Sequence, residues 1–151
     1  MFILQRFPLP PTSNQMYASV GGRLIKSSLA RKYHADCLRY KERAGLHISI
    51  EVNAMLKGQR PDSMFEIETL FVFHKSRLYT KDGRIKKLDT SNRIKPCHDA
   101  ISMVLGLDDS RFNLTASKVY CDLENDEQTI VVVKPSELKG LDQIKKELKI
   151  Y

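Results

Sequence analysis

Four aspartates in the second half of the chain have the residue type and placement to bind a metal ion. Asp89 comes just before a predicted helix, Asp99 lies within it, and Asp108 and Asp109 follow the glycine that ends it. Carboxylate oxygens are hard ligands that suit Mg²⁺, which keeps several of its waters when a protein binds it. Such an ion can polarise a phosphate and lower the pKa of an attacking water. The four positions are therefore candidate ligands for Mg²⁺, with Mn²⁺ as a substitute.

The spacing of these aspartates leaves ordinary alternatives open. A helix of some fifteen residues would separate Asp89 from Asp108 by about 20 Å, at about 1.5 Å per residue. The two can meet only if the chain folds back or the helix is shorter, although Asp99 could face the same cleft as Asp89. Asp89 could equally cap the helix, and Asp108 and Asp109 could form a common turn. The spacing alone allows a metal site without establishing one.

The elements around these residues indicate one α+β domain over residues 1–151, with a mixed sheet flanked by helices. Residues 12–22 are predicted to be a loop, and Leu123–Glu127 a polar turn that joins the last two strands as a pair. The stretch His47–Val52 alternates like a strand but also continues a helical stripe, and we favour the helix. We predict strands over Phe2–Phe7, Met64–Phe73, Leu114–Asp122 and Thr129–Val133, and helices from Ser27 or Ser28 to about Lys57, over Ser91–Leu105, and over Ser136–Lys149 with Leu138, Leu141, Ile144 and Leu148 on one face.

Composition excludes several classes of protein. Hydrophobic residues make up 42% and charged residues 28% of the 151 residues, as in ordinary globular domains. The three cysteines lie far apart without zinc-site spacing, which predicts reduced thiols rather than disulfides or structural zinc. No apolar run approaches the roughly 18 residues of a membrane helix, and the N-terminus lacks the pattern of a signal peptide. We therefore expect a cytoplasmic protein, in a bacterium or a phage-infected cell.

The positive charge is concentrated in one segment. The chain carries a net charge of +7, and residues 74–87 are dense in lysine and arginine, with Tyr79 among them. Such a segment can lie along a phosphate backbone, although it can also be a solvated hairpin. The charge thus favours a polyanionic partner without identifying it.

Two blocks of the sequence resemble the RusA family of Holliday junction resolvases. The first is Pro10-Pro11-Thr12-Ser13-Asn14, followed by Gly21-Gly22-Arg23, and it is similar to that family's opening block. The second runs from Asp89 through Ser91, Asn92, Lys95 and Asp99-Ala100 to Asp108-Asp109, and it is similar to the family's Asp-x-Asp-Asn-x-x-Lys-x-x-x-Asp-Ala and later Asp-Asp. Both blocks stand in the family's order, and together they span about residues 8–110.

The resemblance implies a RusA-like fold and a homodimer that binds four-way DNA junctions and nicks two strands in recombination and repair. Matched by position, Asp89 and Asp109 would be catalytic and bind Mg²⁺, with Asp108 beside them. Lys95 matches a lysine needed for activity, which could act on the phosphate as a point charge. Asn92 and Asp99 match positions within the same motif, and Asn14 supports the first block.

One departure from the family keeps a second function open. Ser91 stands where the family has its second aspartate, and its hydroxyl would be only a weak, neutral metal ligand. The site would then lose a negative charge unless Asp99 supplies a carboxylate, or the ion would bind with fewer protein ligands and more water. A catalytically inactive protein that binds branched DNA is the main alternative, and a general basic regulator is a weaker one because no helix-turn-helix or zinc-finger pattern is present. In each case the expected DNA contacts are basic residues near the two blocks: Arg23, Lys26, Arg84, Lys86, Lys87 and Arg93.

Overall fold

The fold is α+β, as the sequence predicts. The computed structural model describes residues 1–60 and 63–149. Within these ranges the strands are β1 (Phe2–Phe7), β2 (Tyr17–Val20), β3 (Arg23–Lys26), β4 (Met64–His74), β5 (Phe112–Cys121) and β6 (Gln128–Ser136). The helices are α1 (Ser28–Leu56), α2 (Lys75–Leu78), α3 (Ser91–Leu105) and α4 (Leu141–Leu148), and single 3₁₀ turns occur at Ser13–Gln15, Asp109–Arg111 and Glu124–Asp126.

Strand β4 lies in the interior of the main sheet, whose order is β1-β6-β4-β5. It pairs parallel to β5 and antiparallel to β6, so the predicted pairing of the last two strands with each other is wrong. The turn between those strands instead passes the end of β4, where the Glu127 carboxylate accepts a hydrogen bond from the backbone N of His74 at 2.8 Å. Every second residue of β4 from Phe65 to Phe73 is fully buried, which explains why this strand takes the interior position.

Helices α1 and α3 supply the other half of the core. The predicted α1 is confirmed through His47–Val52, and Gly45 does not interrupt it. Burial explains the choice of helix over strand, because Tyr40, Ile48 and Val52 face the core at helical spacing. Helix α3 has the predicted bounds and buries a stripe that packs with the sheet residues in one core cluster: Cys97, Ala100, Ile101, Val104 and Leu105.

Two regions differ from the predicted elements. The expected loop over residues 12–22 contains strand β2, which forms a hairpin with β3 through Gly21 and Gly22. Both glycines have positive φ (56° and 77°), which a tight hairpin turn requires and which glycine adopts without strain. All eight strand residues of this hairpin are exposed, so the main core gives no burial signal for it.

The terminal helix is shorter than predicted. Strand β6 continues through Ser136, and α4 begins only at Leu141, after Gly140. The predicted apolar face is also largely uncovered, because Leu138, Leu141 and Leu148 are 80%, 69% and 64% exposed. Amphipathic periodicity predicted a helix here but did not predict where it starts. No helix in the described ranges is both long enough and apolar enough to span a membrane.

Candidate metal and nucleic-acid site

Asp89 lies exposed in the turn that leads into α3, and its carboxylate is fixed by three hydrogen bonds. One oxygen accepts from the backbone N of Ser91 at 2.9 Å and from its Oγ at 2.6 Å. The other accepts from Nδ2 of Asn92 at 2.6 Å. The Ser91 hydroxyl makes the largest contribution to holding the pKa of Asp89 below its ordinary value. The carboxylate is therefore ionised at neutral pH and orients the first turn of the helix.

Lys95 and Asp99 lie one helical turn apart on the exposed side of α3. Their side chains form an ion pair of 3.7 Å, and 81% of the Lys95 side chain is exposed. An exposed pair of this kind contributes little to stability. The lysine is therefore free to reorient toward a ligand at low cost.

Asp108 and Asp109 follow the left-handed Gly106 that ends α3. Asp108 accepts a hydrogen bond from the backbone N of Ser110 at 2.9 Å and caps the short turn Asp109–Arg111. That interaction with Ser110 lowers the pKa of the Asp108 carboxyl. Asp108 and Asp109 thus form the ordinary turn that the sequence left open as an alternative, whereas the N-cap position of α3 is Thr90 and Asp89 bonds to the first turn from the preceding residue.

The charges around the aspartates divide them into two groups. Asp99 and Asp109 lie near enough to His98 to oppose the lowering of its pKa, which is due mainly to burial. The pKa of Asp89 is instead lowered in part by the charge of Lys118 on β5, whose Nζ donates to the carbonyl of Leu88 at 3.0 Å. The two groups correspond to the two halves of α3, whose 15 residues span about 20 Å.

The described residues of one chain do not assemble a metal site with three carboxylates. Over residues 1–60 and 63–149, no three His, Cys, Asp or Glu side chains are grouped closely enough to hold an ion. Asp89, Asp108 and Asp109 therefore do not converge on one site. What fits Asp89 is the water-rich mode of Mg²⁺, in which the protein supplies one or two carboxylates and a substrate phosphate supplies further oxygens.

The two sequence blocks meet in space beside Asp89. The Oγ of Ser13 donates to the backbone carbonyl of Asn92 at 2.8 Å, and Nη1 of Arg93 donates to the carbonyl of Pro10. Asn14 lies in the 3₁₀ turn that includes Ser13. Residues about 80 positions apart in the chain are thus brought to one place by side chains of both blocks.

The remaining predicted DNA contacts lie on two exposed segments. Arg23 and Lys26 lie on strand β3 of the hairpin. In the basic segment, Arg84 pairs with Asp82 at 3.0 Å and Nζ of Lys86 donates to the carbonyl of Ser76 at 2.6 Å, whereas Lys87 is exposed. This segment is more ordered than a plain loop, because it contains α2 and a bridge between Tyr79 and Ile85.

Sequence reasoning missed two kinds of basic residue near the site. Lys118 lies beside Asp89 only because β5 runs parallel to β4 and back along α3, a pairing that no local pattern reveals. Arg39, Arg43 and Arg77 come from α1 and α2 and line a cleft together with Arg93. Their charge is visible in the sequence, but their convergence is not.

No protein-family model matches the chain, and no curated protein matches it significantly. The resemblance to the RusA family therefore rests on the two sequence blocks alone.

Proposed function

We propose that this chain is a metal-dependent endonuclease that binds four-way DNA junctions and nicks them in pairs, as a homodimer of the RusA type. The observation that carries the proposal is the meeting of the two motif blocks at the Asp89 turn, through Ser13 with Asn92 and Arg93 with Pro10. Motif residues that are distant in sequence but adjacent in the fold are expected of one site and not of two chance matches.

The residues of the turn have distinct roles in this proposal. Asp89 supplies an exposed, ionised carboxylate whose orientation is fixed by Ser91 and Asn92. Lys95 reorients from its exposed pair with Asp99 to contact a phosphate as a point charge. A bound Mg²⁺ would polarise that phosphate and lower the pKa of an attacking water.

The DNA interface is proposed to include the hairpin and the basic segment. Arg23 and Lys26 are exposed on β3, and Arg84, Lys86 and Lys87 are exposed beyond α2. Contacts of this kind position a duplex through its phosphates and weaken steeply with salt. A junction has two strands to cut, so two copies related by a two-fold axis would supply the two sites.

A second candidate function is binding of branched DNA without cleavage. It is favoured by Ser91, which replaces a carboxylate, and by the separation of Asp89 from Asp108 and Asp109 in the described part of the chain. In that case the hydrogen bonds of Asp89 serve only to order the segment that leads into α3, and that of Asp108 serves only to cap the turn Asp109–Arg111.

Cleavage of a labelled four-way junction by matched variants tests the proposal. The wild type, Asp89→Asn, Lys95→Met and Asp122→Asn are compared with Mg²⁺, Mn²⁺ or EDTA. Asp122 is the control because it is also exposed, hydrogen-bonded (to Lys75 at 2.8 Å) and lowered in pKa.

We expect Asp89→Asn and Lys95→Met to slow metal-dependent nicking by about 100-fold or more, the usual cost of losing a group that stabilises developing charge. Junction binding should be retained, and Asp122→Asn should cut like the wild type. Binding by the wild type without cutting in either metal would replace the nuclease with the binding protein. Equal binding of junction and linear duplex would favour a general basic DNA-binding protein instead.

A further inference from the structure

A cleft lined by basic side chains opens between residues 8–11, helix α1 and the beginning of α3. Its volume is about 820 Å³, within the range of small-molecule sites. Its charged lining comprises five basic and two acidic residues: Lys32, Arg39, Arg43, Arg77 and Arg93, with Asp36 and Glu42. We call this the arginine cleft.

Arg93 is the most buried of these cations, with only 7% of its surface exposed. Its Nη1 donates to the carbonyl of Pro10, but its buried Nε has no hydrogen-bond partner among the described residues. Ion pairs in the described part of the chain do not include Arg93. A buried charge is costly unless it is paired and fully hydrogen-bonded. Arg93 therefore retains an unused donor and a charge that no described carboxylate pairs with directly.

Arg77 contributes a second guanidinium group to the same cleft. The Cζ atoms of Arg77 and Arg93 lie 5.0 and 5.4 Å from the centroid of the Phe73 ring, so one aromatic ring positions both. Burial lowers the pKa of Arg93 and the charge of Arg77 lowers it further, while the more weakly acting charges of Glu127 and Asp89 oppose this. Two positive charges at one aromatic ring favour the binding of an anion.

The carboxylates near the cleft form no ion pair with Arg93 in the described part of the chain. Asp36 is already bound by Lys32 at 2.8 Å and by Arg39. Glu127 binds Arg77, with distances of 3.0 and 3.2 Å from its oxygens to Nη1, but it forms no ion pair with Arg93. The cleft therefore keeps an excess of positive charge at its most buried point.

We propose that the arginine cleft is a phosphate-binding site in which Arg77 and Arg93 donate to the phosphate of a nucleotide or a nucleic-acid strand. The planar donor fork of arginine matches phosphate oxygens, and charge-assisted hydrogen bonds of this kind are stronger than neutral ones. The site goes beyond the proposed nuclease, because phosphate binding there requires neither a metal nor Asp89.

The site is tested by titration at low salt with EDTA, with inorganic phosphate, the 5′-phosphorylated dinucleotide pTpT and unphosphorylated thymidine as probes. Side-chain Nε–Hε signals of arginine are followed by NMR, because Nε of Arg93 is the donor without a partner. We expect both phosphate compounds to shift the signals of Arg77 and Arg93, and thymidine to leave them unchanged. Tighter binding of pTpT would assign the site to nucleotides or strands, and equal binding would assign it to free phosphate.

Variants distinguish the cleft from general surface charge. Arg77→Met should weaken phosphate binding by about 10-fold, the usual effect of losing a charge-assisted donor, and Arg43→Met should weaken it less because Arg43 contributes only charge to the cleft. Arg6→Met is the control, because Arg6 is an exposed arginine paired with Asp126 outside the cleft and outside the proposed DNA interface. Arg77 and Arg43 are used because neither is buried, so folding should survive.

Equal weakening by Arg6→Met, or binding without any shift at Arg77 and Arg93, would overturn the site. Phosphate binding is measured in EDTA, so it does not depend on the metal-dependent cleavage that tests the nuclease. The failure of this proposal is thus distinguishable from the failure of the nuclease, since each has its own variant and its own readout.

Discussion

Ser27 should stabilise the protein more than its neighbour Ser28, although the sequence offers both as caps of α1. The Oγ of Ser27 accepts from the backbone N of Ala30 at 3.0 Å and donates to the carbonyl of Gln15 at 2.5 Å. The first hydrogen bond caps the helix, and the second ties the helix to the opening motif block. Ser28 is the first helical residue and is exposed.

The magnitude follows from these two hydrogen bonds. Replacing a serine cap by alanine costs about 1 kcal/mol, and a further exposed hydrogen bond adds about 0.5 kcal/mol. Ser27→Ala should therefore lower the free energy of unfolding by about 1.5 kcal/mol. Ser28→Ala should leave it unchanged or raise it by a few tenths (about 0.3 kcal/mol), because alanine has the higher helix propensity.

Urea unfolding followed by circular dichroism at 222 nm measures both variants. The midpoint should fall for Ser27→Ala at an unchanged m value, which would show a loss of stability without a change in the surface exposed on unfolding. Equal losses for the two variants, or a larger loss for Ser28→Ala, would refute the assignment of the cap.

Three further predictions concern the core, the thiols and the end of α3. Ile101 is fully buried in α3, so Ile101→Val should cost about 1 kcal/mol and Ile101→Ala about 2–5 kcal/mol in urea unfolding; losses below about 0.5 kcal/mol for both would contradict the packing. Cys121 alone should react with Ellman's reagent in the native protein at pH 7. Cys37 and Cys97 are fully buried, and burial raises the pKa of Cys37 to about 11. Rapid reaction of all three thiols would contradict this prediction. Gly106→Ala should cost about 1 kcal/mol through backbone strain alone, since φ is +67° and an added Cβ meets no atom within 4 Å, whereas an unchanged thermal midpoint would argue against the left-handed turn.

Local patterns predicted the elements that carry their own signals. The bounds of helix α3 were predicted because Ser91 and Gly106 flank an apolar stripe. Helix α1 was predicted because its apolar stripe continues past Gly45. The position of β4 between β5 and β6 was not predicted, because strand pairing depends on contacts between residues far apart in the chain. The hairpin β2–β3 was not predicted, because all of its strand residues are exposed.

The sequence predicted which residues could form the candidate site, but it did not predict how they are arranged. Asp89, Lys95 and the Asp108–Asp109 pair stay candidates from the sequence, whereas the predicted length of the helix between Asp89 and the pair is confirmed. The sequence did not reveal that Ser13 contacts Asn92, or that Arg77 and Arg93 share one aromatic ring. Charge is a property of composition, whereas the convergence of charges depends on the fold.

The most direct test of the central claim is cleavage of a four-way junction beside a linear duplex of the same sequence by the wild-type protein. Paired nicks on the junction alone, present with Mg²⁺ and absent with EDTA, are the predicted result. Absence of any nick in Mg²⁺ or Mn²⁺ under conditions where the junction is fully bound would contradict the proposed endonuclease activity.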